Sequence, residues 1–180
     1  MRATSKAFLP ATLICFSAVC FADEANIEWR KNANDIEGVR ASFILRTTRQ
    51  ALWAVLVDYR KFSEVFRNVR EVRVIREASD RAEVEFVVGA VVRDFRYVLE
   101  RRYVELDRSI TWTKISGDLE RIEGAWTIAD GPQPGLLAVT YESYVEFGWY
   151  VPHFAARAGI AREIQAMVRA LRERLERPSP

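Results

Sequence analysis

The 180-residue chain is poor in the side chains that most often carry metal, redox or nucleophilic chemistry. It has only two cysteines, Cys15 and Cys20, and a single histidine, His153. Both cysteines fall in an N-terminal segment that we expect to be removed. The mature chain would then have no disulfide, no thiolate nucleophile and no cysteine-ligated metal. Because one histidine cannot assemble the usual zinc ligand sets, we expect no metal and no cofactor.

Sequence motifs for nucleotide and acyl chemistry are missing as well. Neither G-x-G-x-x-G nor G-x-x-x-x-G-K-[ST] occurs, and G-x-S-x-G is also missing. The 27 Lys and Arg residues barely exceed the 25 Asp and Glu residues, and Arg2 and Lys6 account for the excess. Without its first segment the chain is therefore neutral. This argues against a nucleic-acid partner, whose binding requires a net excess of cations.

The first 22 residues have the three-part form of a secretory signal peptide. Residues 1–6 carry two positive charges and no acid, residues 7–22 carry no charge, and small residues stand at the minus-three and minus-one positions before Asp23. The apolar run is shorter than the about 20 residues that a transmembrane helix needs. We expect cleavage after Ala22 and secretion across the inner membrane into the periplasm. An uncleaved anchor is the alternative.

Alternation of apolar and polar residues predicts that most of the remaining chain forms antiparallel sheet. Two short runs come first, over residues 27–31 and 39–45, with turn-prone residues between them. From Val69 onward, apolar residues recur with a period of two over about seventy-five residues, interrupted by short turns. Such connections join antiparallel neighbours, because a parallel crossover needs about a dozen residues or more. We expect a meander of five or six strands with one apolar and one charged face.

Helices are predicted before and after this meander. Thr47 or Thr48 caps a helix over residues 49–58, because a hydroxyl there accepts from the amides of the first turn. A second short helix is predicted over residues 59–66, and a long one over residues 152–177. The apolar stripe of the long helix consists of Ile160, Ile164, Met167, Val168, Leu171 and Leu175. A curved sheet with one apolar face needs a cover, and only this helix is long enough.

The order of these elements resembles the START-like (SRPBCC), or polyketide-cyclase-like, helix-grip superfamily. Residues 51–66, ALWAVLVDYRKFSEVF, resemble its first helix running into a W-x-x-L-x-D-Y turn. Residues 110–128, ITWTKISGDLERIEGAWTI, are similar to its central hairpin. The resemblance implies an α+β fold, with a curved antiparallel sheet wrapped around a long C-terminal helix and two short helices near the N-terminus. We assign this domain to residues 23–177 and a tail to residues 178–180.

The resemblance also implies a cavity between sheet and long helix that holds a lipid, sterol, polyketide or other apolar ligand. The matching motifs concern fold rather than chemistry, and no catalytic signature transfers residue by residue. We expect binding, and with it carriage or sequestration, of a hydrophobic small molecule, admitted by movement of the long helix or of loop 131–135. One alternative is a polyketide cyclase or aromatase. The other is a non-catalytic interaction module of the cell envelope.

Aromatic side chains recur strand after strand on the predicted apolar face, and each can bury about 150 to 250 Å². Together with residues of the long helix, we predict that they line the ligand site. The predicted site consists of Phe86, Phe95, Tyr97, Trp112, Trp126, Tyr141, Ile160, Ile164 and Met167. A filled core is the alternative for any one of them.

No catalytic residue is assigned. For an enzyme, Tyr97, Tyr141 or Arg96 would be the candidates inside the cavity. His153 lacks a recognisable orienting carboxylate, which a general base would need.

The long helix is also rich in arginine, which raises the alternative of a transient contact with anionic lipid headgroups. The six arginines are Arg157, Arg162, Arg169, Arg172, Arg174 and Arg177. A solvated face with helical ion pairs, such as Glu173 with Arg177, explains the same pattern.

Overall fold

A computed structural model describes residues 24–90, 93–147 and 153–176, with side chains from residue 157 onward in the last range. The predicted signal peptide and tail lie outside these ranges. The described elements are β1 (Asn26–Lys31), β2 (Glu37–Arg46), α1 (Arg49–Val57), a 3₁₀ turn (Tyr59–Lys61), α2 (Phe62–Val65), β3 (Val69–Glu77), β4 (Arg81–Gly89), β5 (Asp94–Glu105), β6 (Ser109–Gly117), β7 (Arg121–Asp130), β8 (Leu136–Glu146) and α3 (His153–Leu175). No helix in this part of the chain is long and apolar enough to cross a bilayer.

The eight described strands form one antiparallel sheet in the order β1-β2-β8-β7-β6-β5-β4-β3. From β3 to β8 each strand pairs with the next, which makes the predicted meander six strands long. The β1–β2 hairpin joins this meander because β2 pairs with β8, where Ala41 lies opposite Tyr141. The predicted curved antiparallel sheet of an α+β protein is confirmed.

Alternation along the strands determines which side chains face the interior, as the sequence predicted. On β4, Ala82, Val84 and Phe86 are buried. Glu83 and Glu85 point the other way and pair with arginines of β3 and β5. Below, the face that carries Phe86 is called the concave face, and the charged face is called the outer face.

Helix α3 covers the concave face with the predicted apolar stripe. Ile160 and Leu175 are partly buried against the core. The buried residues of the stripe are Ile164, Met167, Val168 and Leu171. Full burial of each contributes about 1.5–3 kcal/mol. The side-chain amide of Gln165 ties the helix to the start of β1 through two hydrogen bonds with the backbone of Ala25, at 3.0 and 2.9 Å. The predicted helix ends, residues 152 and 177, lie outside the described residues.

Helix α1 begins at Arg49 because Thr48, rather than Thr47, caps it. The Thr48 hydroxyl accepts a hydrogen bond from the amide of Ala51 at 3.2 Å. The helix ends at Val57, one residue before the predicted end. The chain then continues through the 3₁₀ turn into α2, so the predicted second helix is split in two.

Candidate functional site

The nine predicted site residues lie on the concave face or on the side of α3 that faces it. Tyr97, Tyr141 and Ile160 are partly accessible. The other six are buried: Phe86, Phe95, Trp112, Trp126, Ile164 and Met167. The structure thus places the set on the concave side of the sheet, as sequence alternation suggested. Their assignment to a ligand site stays a prediction.

Three of these residues form a continuous aromatic cluster in the middle of the sheet. The rings of Trp112 and Tyr141 stack with centroids 5.7 Å apart, and those of Trp126 and Tyr141 are 4.7 Å apart. Gly124 lies opposite Trp112 in the β6–β7 pair. A Cβ atom at Gly124 would collide with the indole of Trp112. The glycine therefore lets this ring lie across β7 and reach Tyr141 on β8.

A second aromatic group lies towards the other edge of the sheet. Phe86 and Tyr97 are register partners on β4 and β5, with ring centroids 6.0 Å apart. Phe62 of α2 packs on Phe86 at 5.7 Å. Helix α2 therefore covers the concave face here, while α3 covers it nearer β2.

The two tyrosines of the predicted site combine partial accessibility with a desolvated hydroxyl group. Burial raises the pKa of Tyr97, and the neighbouring Tyr141 raises it further. Burial also raises the pKa of Tyr141, although a hydrogen bond with Ser143 offsets part of the rise. A tyrosine on open surface keeps a pKa near its ordinary value of about 10, because water solvates the phenolate. Surrounding protein atoms therefore desolvate both hydroxyl groups, although each side chain is partly accessible.

Arg101 of β5 is the one charged residue that is buried among the described residues, with 2% of its surface exposed. Its Nη1 donates to the carbonyl oxygen of Leu56, one of the last carbonyls of α1, at 3.2 Å. The guanidinium carbon lies 5.1, 5.2 and 5.8 Å from the ring centroids of Tyr59, Phe62 and Trp112. The Nε atom is buried without a hydrogen-bond partner. Within the described part of the chain, no carboxylate lies within ion-pair distance of Arg101.

Tyr103 closes this end of the concave face. Its hydroxyl shares a hydrogen bond with that of Tyr59 at 2.9 Å, and its ring packs edge-on against Trp53 at 5.5 Å. Burial and the hydrogen bond to Tyr59 raise the pKa of Tyr103. These contacts tie β5 to the 3₁₀ turn and hold that turn over Arg101.

Arg101 is not among the predicted site residues, although the sequence contains the signal for it. On β5 the inward residues Phe95 and Leu99 are in phase with Arg101, so alternation alone points its side chain inward. Arg96, which was a candidate for the cavity only in the enzyme alternative, does not face it. Arg96 is exposed on the outer face, where it pairs with Glu85 at 3.0 Å, because neighbouring residues of a strand point to opposite faces.

Several of the arginines predicted to form a basic surface on α3 contact the protein itself. Arg157 pairs with Glu37, and Arg174 pairs with Glu64. Arg172 donates to the carbonyl oxygen of Ile44 at 3.1 Å. These contacts fasten the helix to the sheet and to α2. The side chain of His153 and residue Arg177 lie outside what the structure describes.

Two depressions of the described surface lie away from the aromatic clusters. The first, of about 340 Å³, is on the outer face and is lined by Glu71, Val72, Arg73, Glu85, Val87 and Arg96. The second, of about 350 Å³, lies beside the start of α1 and the turn between β7 and β8. Charged and polar groups border both, so neither favours an apolar ligand.

The sequence matches the family described as polyketide cyclase / dehydrase and lipid transport over residues 31–172. The match spans most of the chain, and the protein belongs to this family. No curated protein matches the sequence significantly.

Solved structures with START-like folds are similar to this chain. A STAR-related lipid transfer protein from Xanthomonas axonopodis is 17% identical, with 87% of this chain and 96% of that chain covered and a TM-score of 0.69. The Zhui aromatase/cyclase from Streptomyces is 14% identical, with 84% and 95% covered and a TM-score of 0.66. Human StAR-related lipid transfer protein 5 is 13% identical, with 85% and 82% covered and a TM-score of 0.66. These similarities concern the fold, and they confirm the predicted helix-grip architecture.

Proposed function

We propose that the protein binds an apolar small molecule, such as a lipid, between the concave face and α3, and that it carries or sequesters this ligand. The observation that carries the proposal is the position of Tyr97 and Tyr141, which are partly accessible on the apolar concave face beside the buried rings of Phe86 and Trp112. Two proteins of similar fold are lipid transfer proteins by name, which also supports binding of an apolar ligand.

The energetics of such a site follow from its lining. Aromatic rings from three strands and the apolar stripe of α3 supply the surface. Each methylene that leaves water for such surroundings contributes about 0.8 kcal/mol. An acyl chain therefore binds through burial, and the tyrosine hydroxyls orient its polar end.

A second candidate function is an enzyme acting on a polyketide-like substrate, because Arg101, Tyr97 and Tyr141 place polar groups on the concave face. One protein of similar fold is an aromatase/cyclase by name. Proton transfer near neutral pH needs a group whose pKa lies near that pH. Both tyrosines are protonated near neutral pH, and burial raises their pKa further from that range. In the described part of the chain no carboxylate is bonded to any of the three, so binding is the better supported function.

We also propose that the protein works in the periplasm after removal of residues 1–22. The support is the charge and apolar pattern of that segment. Mass spectrometry of protein purified from its own cells tests this directly. A mature N-terminus at Asp23 is expected, and a chain that retains residues 1–22 would contradict cleavage.

Ligand binding is tested on protein purified from its own periplasm. Native mass spectrometry followed by solvent extraction is expected to reveal a co-purified apolar molecule. Calorimetric titration with a fatty acid, a phospholipid and a sterol measures uptake by the delipidated protein. A protein that emerges without ligand and takes up none of the three would overturn the proposal.

A pair of variants on β8 locates the site. Val145 is partly buried on the concave face, and Tyr144 is its neighbour on the outer face. Val145→Trp adds an indole to the enclosed space and is expected to weaken binding at least about tenfold. Tyr144→Trp places the same ring on the outer face and is expected to leave binding unchanged. Equal affinities of the two variants would contradict a site on the concave face.

A further inference from the structure

Binding of a purely apolar molecule makes no use of the buried charge of Arg101. We propose that Arg101 binds the anionic head, a carboxylate or a phosphate, of a ligand whose apolar chain lies between the concave face and α3. This inference rests on the proposed function and specifies the chemical class of the ligand.

The first argument is the missing counter-charge. Charges buried in proteins are normally paired, because removing an ion from water is costly without a partner. Arg101 is 2% exposed, and no carboxylate of the described residues lies within ion-pair distance. Its cross-strand neighbours are Ala82 on β4 and Trp112 on β6. Neither side chain can neutralise the charge. A bound anionic ligand would supply the missing counter-charge.

The second argument is the geometry of the guanidinium. Nη1 is occupied by the carbonyl oxygen of Leu56, whereas Nε has no hydrogen-bond partner. The edge formed by Nε and Nη2 is therefore the one that Leu56 does not use. Two parallel N–H groups on one edge match the two oxygens of a carboxylate or phosphate. A neutral chain end offers no such pair of acceptors.

The third argument is that the surroundings hold the guanidinium without neutralising it. The rings of Tyr59, Phe62 and Trp112 lie within 5.8 Å of its central carbon and position it through cation–π contacts. Its charge also reaches the predicted ligand site, because Arg101 lowers the pKa of Tyr141 and so opposes the effect of burial. A ligand head beside Arg101 would therefore lie at the polar end of the site that Tyr141 borders.

The test compares ligands that share one acyl chain and differ in the charge of the head. Laurate is compared with methyl laurate, and lauroyl lysophosphatidate with glycerol monolaurate, by calorimetric titration at neutral pH. The wild-type protein is expected to bind at least one acid about tenfold or more tighter than its neutral partner, as a hydrogen-bonded charge pair implies. Preference for laurate identifies a carboxylate as the head, and preference for lysophosphatidate identifies a phosphate.

Two kinds of variant probe the role of the charge. Arg101→Met removes the charge with little change in length, and the acid-to-neutral affinity ratio is expected to fall to within about threefold. Ala82→Asp leaves Arg101 in place and supplies an internal counter-charge, so it is also expected to abolish the preference. Ala82→Asn has the same size without the charge and is expected to keep it. Circular dichroism checks that each variant is folded.

The outcomes separate this inference from the proposed function. Equal binding of acid and neutral ligand by the wild-type protein would overturn the inference and leave the proposed function standing. A preference that survives in Arg101→Met or Ala82→Asp would also overturn it, and would leave Arg101 only its role in capping α1. Binding of none of the four ligands would overturn the inference, and the proposed function would fall with it only if the protein also takes up no phospholipid and no sterol.

Discussion

Ala82 lies directly opposite Arg101 in the β4–β5 pair, so a fully buried methyl group faces the one buried charge of the described residues. The Cβ atoms of such cross-strand partners are separated by about 4.5–5.5 Å, which is within reach of a short polar side chain. The pairing therefore places a small, fully buried side chain next to a cation that has no carboxylate partner among the described residues. Substitutions at position 82 therefore test whether the charge of Arg101 is compensated in the folded protein.

Replacing Ala82 with Asp or Asn should reveal the unpaired charge as a difference in stability. Both side chains overpack the site, at a cost of about 1–3 kcal/mol. Ala82→Asp should nevertheless be more stable than Ala82→Asn by about 1.5–3 kcal/mol, because its carboxylate forms a charged hydrogen bond with Arg101. Urea unfolding of both variants at neutral pH measures the difference. Equal free energies of unfolding would show that the charge of Arg101 is already compensated.

Gly124 is expected to tolerate no side chain. In Gly124→Ala the new methyl group meets the indole of Trp112 and the backbone of Glu142. We expect a loss of about 1–3 kcal/mol in the free energy of unfolding and a changed near-ultraviolet circular dichroism signal from the displaced indole.

Gly159 of α3 is the matched control, because a Cβ atom there meets no atom within 4 Å. Gly159→Ala should stabilise the protein by about 0.5–1 kcal/mol, since alanine favours the helix. If both replacements had the same effect, the tight approach at Gly124 would be disproved.

Desolvation of Tyr97 and Tyr141 predicts a specific response of the protein to alkaline pH. The folded-state pKa values of Tyr97 and Tyr141 are raised, so folding favours their protonated forms. The stability they confer is fully present below the ordinary tyrosine pKa of about 10 and is lost as pH rises from there towards the folded-state values. Spectrophotometric titration should therefore show that these two tyrosines ionise later than exposed ones.

The variants Tyr97→Phe and Tyr141→Phe show whether these two tyrosines are the groups that ionise late. Each should remove one late-titrating group from the tyrosinate absorbance curve. Ionisation of both groups near their ordinary pKa in the folded protein would mean that they face open solvent. That result would count against a ligand site beside these two side chains.

The cap of α1 can be measured with a pair of neighbouring threonines. Thr48→Ala removes the hydroxyl that accepts from Ala51 and should cost about 0.5–2 kcal/mol in the free energy of unfolding. Thr47→Ala removes a hydroxyl with no such role and should have a smaller effect. Thermal unfolding of both variants measures the two losses of stability. A larger loss for Thr47→Ala than for Thr48→Ala would contradict the assignment of the cap.

Sequence alternation predicted the sheet well because one face of each strand is apolar. The pattern around Phe86 and the in-phase aromatic residues predicted the concave face, and the stripe from Ile160 predicted its cover. What the sequence could not supply was the register between strands. That Ala82 faces Arg101 depends on the length of the turn between β4 and β5, and a shift of one residue would change every pair.

The ring contacts at the centre of the sheet could not be predicted from the sequence either. That Trp112 crosses Gly124 to stack on Tyr141 depends on the direction of a side chain as well as on strand order. Arg101 shows the opposite case. Its inward direction could be predicted from alternation, but that no carboxylate of the described residues pairs with it could be seen only from the positions of all the surrounding groups.

The most direct test of the ligand site is solution NMR of the protein, residues 23–180, with isotope-labelled laurate. We predict nuclear Overhauser contacts between the acyl chain and the rings of Tyr97, Trp112 and Tyr141, together with the Ile160 methyl groups of α3. Contacts confined to outer-face residues such as Val87 and Val98, or no contacts at a saturating ligand concentration, would contradict a ligand held between the sheet and α3.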